Sequence, residues 1–190
     1  MNEAGELRFE YQATADSPTP VNLTNHSYWN LAGSGSVYGH LLASPSRLYL
    51  RTDDLLVPTG EILSVAGTAL DFREAKPIGR DIAGLAPGGY DHCYVVDRRE
   101  PGLDLACTVT DPASGRRMEV LTTAPGFQLY SGNFLDGSRG ARGRVFARHT
   151  AYCIEAQLFP DCVNEPHFPS GVLRPGATWR QVTVHRFSVV

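Results

Sequence analysis

No apolar run in this sequence approaches the length that spans a bilayer. The first residues, Met1-Asn2-Glu3-Ala4-Gly5-Glu6, are acidic and polar, the opposite of the basic start and apolar stretch of a secretory signal. A cytoplasmic location is therefore expected, and the sequons Asn22-Leu23-Thr24 and Asn25-His26-Ser27 are read as coincidental. An excess of charge is lacking too. With 17 basic against 20 acidic residues and a net charge of -3, no large cationic field is available to neutralise phosphates or hold an anionic membrane, so neither nucleic acid nor membrane is expected as a partner. Cysteine is scarce: Cys93, Cys107, Cys153 and Cys162 form no CxxC pair and sit in apolar, strand-like surroundings, which reads as reduced core thiols. G-x-S-x-G, P-loop and dinucleotide motifs are all missing, which argues against serine hydrolases, nucleotide hydrolases and NAD enzymes. A metal set drawn from His26, Asp91, His92 and Glu155 has no HxH or HExxH spacing, so no metal is expected.

What is present is period-two alternation. Leu7, Phe9 and Tyr11, then Leu103, Leu105, Cys107 and Val109, and finally Trp179, Gln181, Thr183, His185 and Phe187 read as strands. Turn clusters separate such runs, among them Ser17-Pro18-Thr19-Pro20, Pro58-Thr59-Gly60, Pro87-Gly88-Gly89 and Pro175-Gly176. With 19 Gly and 13 Pro, these clusters recur too often for long helices. Asp111 to Gly115 is expected to close a hairpin onto Arg117-Met118-Glu119-Val120-Leu121-Thr122, and Ile78 to Leu85 to form a short helical turn. The pattern predicts an all-β protein, mostly antiparallel, with residues 1–190 forming one domain.

Four clusters could carry chemistry. In Thr24-Asn25-His26-Ser27-Tyr28-Trp29-Asn30-Leu31, aromatic faces could cover the CH face of a pyranose, amides such as that of Asn25 could bind hydroxyls, and the imidazole could supply a proton. A structural histidine with two packed aromatics would look the same. In Tyr152-Cys153-Ile154-Glu155-Ala156-Gln157, a strand puts Cys153, Glu155 and Gln157 on one face and Ile154 and Ala156 on the other. A carboxylate among apolar neighbours would be partly desolvated and a better base, whereas one on an edge strand in water would not. Asp91, at the mouth of Gly89-Tyr90-Asp91-His92-Cys93-Tyr94-Val95-Val96, could accept from sugar hydroxyls or cap the turn. The run Pro125-Gly126-Phe127-Gln128-Leu129-Tyr130-Ser131-Gly132-Asn133-Phe134 puts Gln128 and Tyr130 on one strand face, though a fully packed strand would look similar.

In order along the chain, these segments resemble the aldose 1-epimerase family. VNLTNHSYWNLAG (21–33), PTGEI (58–62), GTALDFR (67–73), YDHCYVV (90–96), APGFQLYSGNFLDG (124–137) and CIEAQLFPDCVNEPHFPSGVLRPG (153–176) all look like that family. The resemblance implies a galactose mutarotase-like β-supersandwich and a cofactor-free isomerase that interconverts the α and β anomers of aldohexoses such as galactose and glucose. It also implies Glu155 as the base, His26 as the acid, and Asp91 and Gln128 as ligands of sugar hydroxyls. Strand geometry adds Gln157. Cys93 and Trp29 stand where family members often carry Asn and Phe.

The family resemblance further implies that an N-terminal stretch carrying another histidine and a substrate-binding arginine is missing. An incomplete sheet, a half-open site, weak activity and self-association, or a partner chain supplying the missing strands, are expected in consequence. A catalytically silent carbohydrate-binding or interaction domain on the same scaffold is the alternative. An epimerase for hexose 6-phosphates would need a basic pocket, for which only Arg139, Arg142 and Arg144 offer themselves.

Overall fold

The computed structural model describes residues 1–86, 88–98 and 102–190, with the side chain of Arg142 outside that description. Pro87 of the expected Pro87-Gly88-Gly89 turn also lies outside the described residues. The chain runs through β1 (Glu6–Ala13), β2 (Thr19–Pro20), β3 (Leu41–Ala43), β4 (Leu48–Thr52), β5 (Pro58–Ser64), β6 (Lys76–Pro77), β7 (Asp91–Val95) and β8 (Asp104–Thr110). It continues through β9 (Arg116–Thr122), β10 (Gly126–Tyr130), β11 (Asp136–Arg139), β12 (Val145–Ala147), β13 (Cys153–Gln157), β14 (Val172–Leu173) and β15 (Trp179–Val189). Among the described residues, helix is confined to single 3-10 turns at Ile82–Gly84, inside the segment expected to turn, and at Ala141–Gly143. No helix among the described residues is long and apolar enough to cross a membrane.

Two antiparallel sheets carry the architecture, one ordered β1-β15-β9-β8-β3-β6 and the other β13-β10-β7-β4-β5. Their facing sides supply one core. Cys107, Val109, Met118 and Val120 come from the first sheet, and Tyr94, Phe127, Leu129 and Ile154 from the second. Full burial of such a side chain is worth roughly 1.5–3 kcal/mol, so this layer sets which face of each strand turns inward. The ring of Tyr94 stacks on Phe127 at 5.2 Å and 11°, locking neighbouring strands at their paired positions.

The expected hairpin closes as read: the Asp111 N–H donates to the Arg116 carbonyl, and Gly115 N–H donates back to the Asp111 carbonyl with φ at +71°. Only glycine takes that backbone region freely. Strict alternation fails on β8. Leu103 and Leu105 are exposed, because a bulge between Leu105 and Cys107 inserts Ala106 and sends both Ala106 and Cys107 into the core.

His185 on β15 is fully buried, edge-on to the rings of Phe9 and Trp29, each at 5.3 Å. Neither ring nitrogen has a hydrogen-bond partner among the described residues. Burial pushes its pKa from 6.5 down to about 4. Above 6.5 the imidazole is neutral in both the folded and the unfolded chain. As pH falls from about 6.5 to about 4, the unfolded chain takes up a proton that the folded chain refuses, and stability is lost. Burial shifts His40 and His92 in the same direction, so the acid arm sums several groups. His185→Phe should fold, hold or gain stability near pH 7, and remove on the order of 2–3 kcal/mol of the loss on acidification. Urea denaturation at about pH 7 and about pH 4.5 checks this; an unchanged pH slope would clear His185 of the role.

Candidate active site

The core layer uses one face of β7, β10 and β13, and the other face of the same strands forms the site. On β10, Tyr130 pairs with Asp91 of β7 and Cys153 of β13, while Gln128 pairs with Cys93 and Glu155. Side chains directly opposite in an antiparallel pair stand about 4.5–5.5 Å apart at Cβ, so these two rows form a compact polar grid. Gln128 Nε2 donates to Asp91 Oδ1 at 2.7 Å, and Gln157 Nε2 donates to Gln128 Oε1 at 3.4 Å. The entry to β7 is held from behind. Tyr90 N–H donates to Ser131 Oγ at 2.9 Å, and Asn133 Nδ2 donates to the Tyr90 carbonyl at 3.0 Å. A Cβ on Gly89 would lie 1.9 Å from Asn133 Oδ1, so glycine alone fits that approach.

His26 comes from outside this sheet. Trp29 and Tyr152 exchange backbone hydrogen bonds, Trp29 N–H to the Tyr152 carbonyl at 2.8 Å and Tyr152 N–H to the Trp29 carbonyl at 3.0 Å. Three residues from that pair along each of the two segments, the antiparallel direction brings His26 beside Glu155. The observed separation of His26 Nε2 and Glu155 Oε1 is 3.5 Å. The imidazole stacks on Tyr28 at 5.1 Å and 28° and meets Tyr130 edge-on at 6.2 Å. Tyr130 Oη accepts the Phe134 N–H at 2.8 Å, which holds the Phe134 ring at the rim.

These groups surround a cleft of about 500 Å³, a volume typical of small-molecule sites. It brings together five of the six expected residues, His26, Asp91, Gln128, Glu155 and Gln157. Asn25 does not line it; its Oδ1 accepts the Ser27 N–H at 3.1 Å and so shapes the turn that presents His26. The two aromatics of the first cluster separate, Tyr28 to the cleft and Trp29 to the core beside His185 and Phe187. Phe134 closes the fourth candidate run but was given no role from the sequence, and sequence reasoning missed the wall that Leu50, Thr52, Leu56 and Pro58 raise from the β4–β5 hairpin. Nothing in that hairpin departs from ordinary strand and turn composition, so no local signal marked it.

Burial raises the pKa of Glu155. The Asp91 carboxylate pushes the same way, and His26 opposes them. Glu155 is 8% exposed although β13 ends its sheet, because the segment carrying His26 and Tyr28 covers that edge. Asp91 is also raised by burial, with the Gln128 amide and His26 pulling it down. Burial drives the Cys93 thiol up to about 12, which leaves it an inert part of the floor.

A larger groove of about 1050 Å³ runs past Asp71, Arg73, Lys76, Arg80 and Asp81. Its charges neutralise one another, Arg73 with Asp71 at 2.7 Å, Lys76 with Asp81 at 2.7 Å and Arg80 with Asp81 at 2.9 Å. No aromatic ring or imidazole lines it, so the smaller cleft is the better chemical site. Arg139 and Arg144 are exposed near the β11–β12 hairpin, the Arg142 side chain lies outside the described residues, and no lysine or arginine among the described residues lines the cleft.

The model of one family, aldose 1-epimerase, matches residues 1–186. This chain belongs to the aldose 1-epimerase family. It is 44% identical over 190 residues to the galactose mutarotase of Pongo abelii, covering 98% of this chain and 55% of that protein. The aldose 1-epimerase of Escherichia coli K12 is 35% identical over 196 residues, covering 98% of this chain and 56% of that protein. Among solved structures, an aldose epimerase homologue from C. elegans superposes with a TM-score of 0.91 at 35% identity, over all of this chain and 57% of its own. The galactose 1-epimerase of Lactobacillus acidophilus superposes at 0.83 with 25% identity, over 99% of this chain and 55% of its own. The fold is therefore the galactose mutarotase-like sandwich. The chain spans a little over half the length of the curated relatives it matches.

The electrostatics of the cleft can be read without turnover. Removing the imidazole by His26→Ala should raise the Glu155 pKa further, and Asp91→Asn should lower it. Carboxyl carbon NMR titration measures both. Shifts of the same sign in the two variants would mean that burial alone governs Glu155.

Proposed function

We propose that the cleft is an aldose 1-epimerase site, interconverting the α and β anomers of an aldohexose such as galactose or glucose. The observation that carries this reading is the His26–Glu155 pair at 3.5 Å beside the Asp91–Gln128 hydrogen bond, in a chain 44% identical to a galactose mutarotase. The anomeric hydroxyl and the ring oxygen are both bonded to C1, so an acid and a base that serve them must stand close together. Glu155 takes the proton of the anomeric hydroxyl as the imidazolium of His26 gives one to the ring oxygen. The C1–O5 bond breaks, and C1 becomes an aldehyde. Rotation about C1–C2 followed by closure reverses both transfers: His26 takes back the proton from O5, and Glu155 returns the other to the anomeric oxygen.

The surrounding residues supply position. Asp91 and Gln128 accept from and donate to ring hydroxyls, Gln157 extends that row, and Tyr28 and Phe134 offer aromatic faces to the CH side of the sugar. Desolvation of Glu155 makes its carboxylate a stronger base than one in water.

A second reading, a sugar-binding domain without turnover, draws on the half-exposed imidazole of His26 and on the absence of arginine among the described residues that line the cleft. Residues 1–190 are read as one cytoplasmic domain. The free edges β1 and β5, with Leu55, Val57 and Ile62 exposed around the latter, suit pairing with another chain or a second copy, which size-exclusion chromatography measures.

Polarimetry on freshly dissolved α-D-galactose decides between enzyme and binder. Glu155→Gln should cost ~10²–10⁴-fold in rate with the fold kept. His26→Ala should slow ring opening, while changing His167, whose Nε2 donates to the Gly60 carbonyl, should do much less. Near-normal catalysis by a folded Glu155→Gln protein would end the assignment. Galactose-dependent NMR shifts without acceleration would establish the binder.

A further inference from the structure

We propose that His26, Cys153 and Glu155 form a binding site for a thiophilic divalent cation of the zinc type, and that the cation blocks the sugar site by occupying its acid/base pair. The binding half of this inference stands on geometry alone; the blocking half rests on the epimerase reading above.

The imidazole nitrogen, the thiol sulfur and a carboxylate oxygen of these residues all lie within 4.8 Å of one another. Tetrahedral zinc holds nitrogen and oxygen at about 2.1 Å, which puts the two ligand atoms about 3.4 Å apart. His26 Nε2 and Glu155 Oε1 already stand at 3.5 Å, long for a hydrogen bond and right for two ligands of one ion. Bringing the sulfur to its own ligand distance requires a movement of no more than about 1 Å.

Backbone geometry makes the set rigid on one side and accessible on the other. Cys153 and Glu155 are two residues apart on β13 and share a face, so their ligand atoms converge without any loop. Half the His26 side chain is exposed, and His26 and Glu155 line the cleft, which opens a route from solvent, whereas Cys153 is fully buried. A motif search cannot see this arrangement, because two ligands are related by strand pleat and the third by the Trp29–Tyr152 pairing. It differs from the set considered from the sequence, since His92 turns away from the cleft toward Tyr49.

The donor chemistry selects the ion. Imidazole, thiolate and carboxylate together suit zinc, cadmium and cobalt, whereas magnesium and calcium prefer oxygen alone. On binding, the S–H bond of Cys153 breaks, its proton passes to solvent, and the sulfur lone pair forms the metal bond; nothing is oxidised or reduced.

The test uses the chain with Cys162→Ser, because Cys162 is the one cysteine that is not fully buried. Titration with Co²⁺ and with Cd²⁺ should give a thiolate-to-metal charge-transfer absorption that saturates at one equivalent. It should disappear in Cys153→Ser, and the affinity should fall at least about tenfold in His26→Ala. Absence of the band, or its survival in Cys153→Ser, overturns the proposal. Should Cys153→Ser fail to fold, affinities unchanged in both His26→Ala and Glu155→Gln overturn it equally. The absorption needs no turnover. A chain that binds Co²⁺ through Cys153 but does not mutarotate galactose refutes only the epimerase reading, and an active chain without the band refutes only the metal site.

Discussion

The antiparallel pairing of β7, β10 and β13 is the constraint on which the rest depends. Register in a sheet is all or nothing, since a slip of one residue exchanges the two faces of a strand. Here a slip of β10 would put Phe127 and Leu129 into the cleft and drive Gln128 into the core. Tyr94, Phe127 and Ile154, buried on the inner face, oppose that slip with several kcal/mol of lost burial. The positions of Asp91, Gln128 and Glu155 are thus enforced by side chains that never touch a ligand.

The same economy appears in the segment that carries His26. Its backbone pairing at Trp29–Tyr152 and the Asn22 side chain, which accepts the Leu158 N–H at 2.8 Å, tie it along the outer edge of β13. This covering converts an edge-strand glutamate into a buried one and at the same time delivers an imidazole to it. Desolvation of Glu155 and its pairing with His26 are two effects of one docking, and they act on its pKa in opposite directions. Removing the segment would leave Glu155 an ordinary carboxylate in water.

Polar groups in the core are handled less completely. His185 and Trp29 Nε1 are buried without partners among the described residues, close to the junction of the His26 segment with β15. Each such group costs free energy relative to an apolar replacement of the same shape. They cluster on the inner side of the segment whose outer side lines the cleft, so the price of presenting His26 falls on the packing behind it.

Much was legible in the sequence because strand pleat is a local rule. Cys153, Glu155 and Gln157 had to share a face, as did Gln128 and Tyr130, and Asp111 to Gly115 had to turn. Alternation failed where a bulge intervened: a bulge is stabilised by the partner strand, and β9 is what drew both Ala106 and Cys107 inward. Asn25 and Trp29 could not be sorted from Tyr28 by composition. Which side chain caps its own backbone, which packs on His185 and which faces the cleft depends on how the segment lies against β13. The sequence by itself determined the all-β class, the faces of the strands and the residue types of the site. Tertiary structure alone decided that His26 meets Glu155, that the meeting is dry on one side and open on the other, and that Cys153 joins them. Those facts rest on contacts between segments far apart in the chain, and no local preference encodes such a distance.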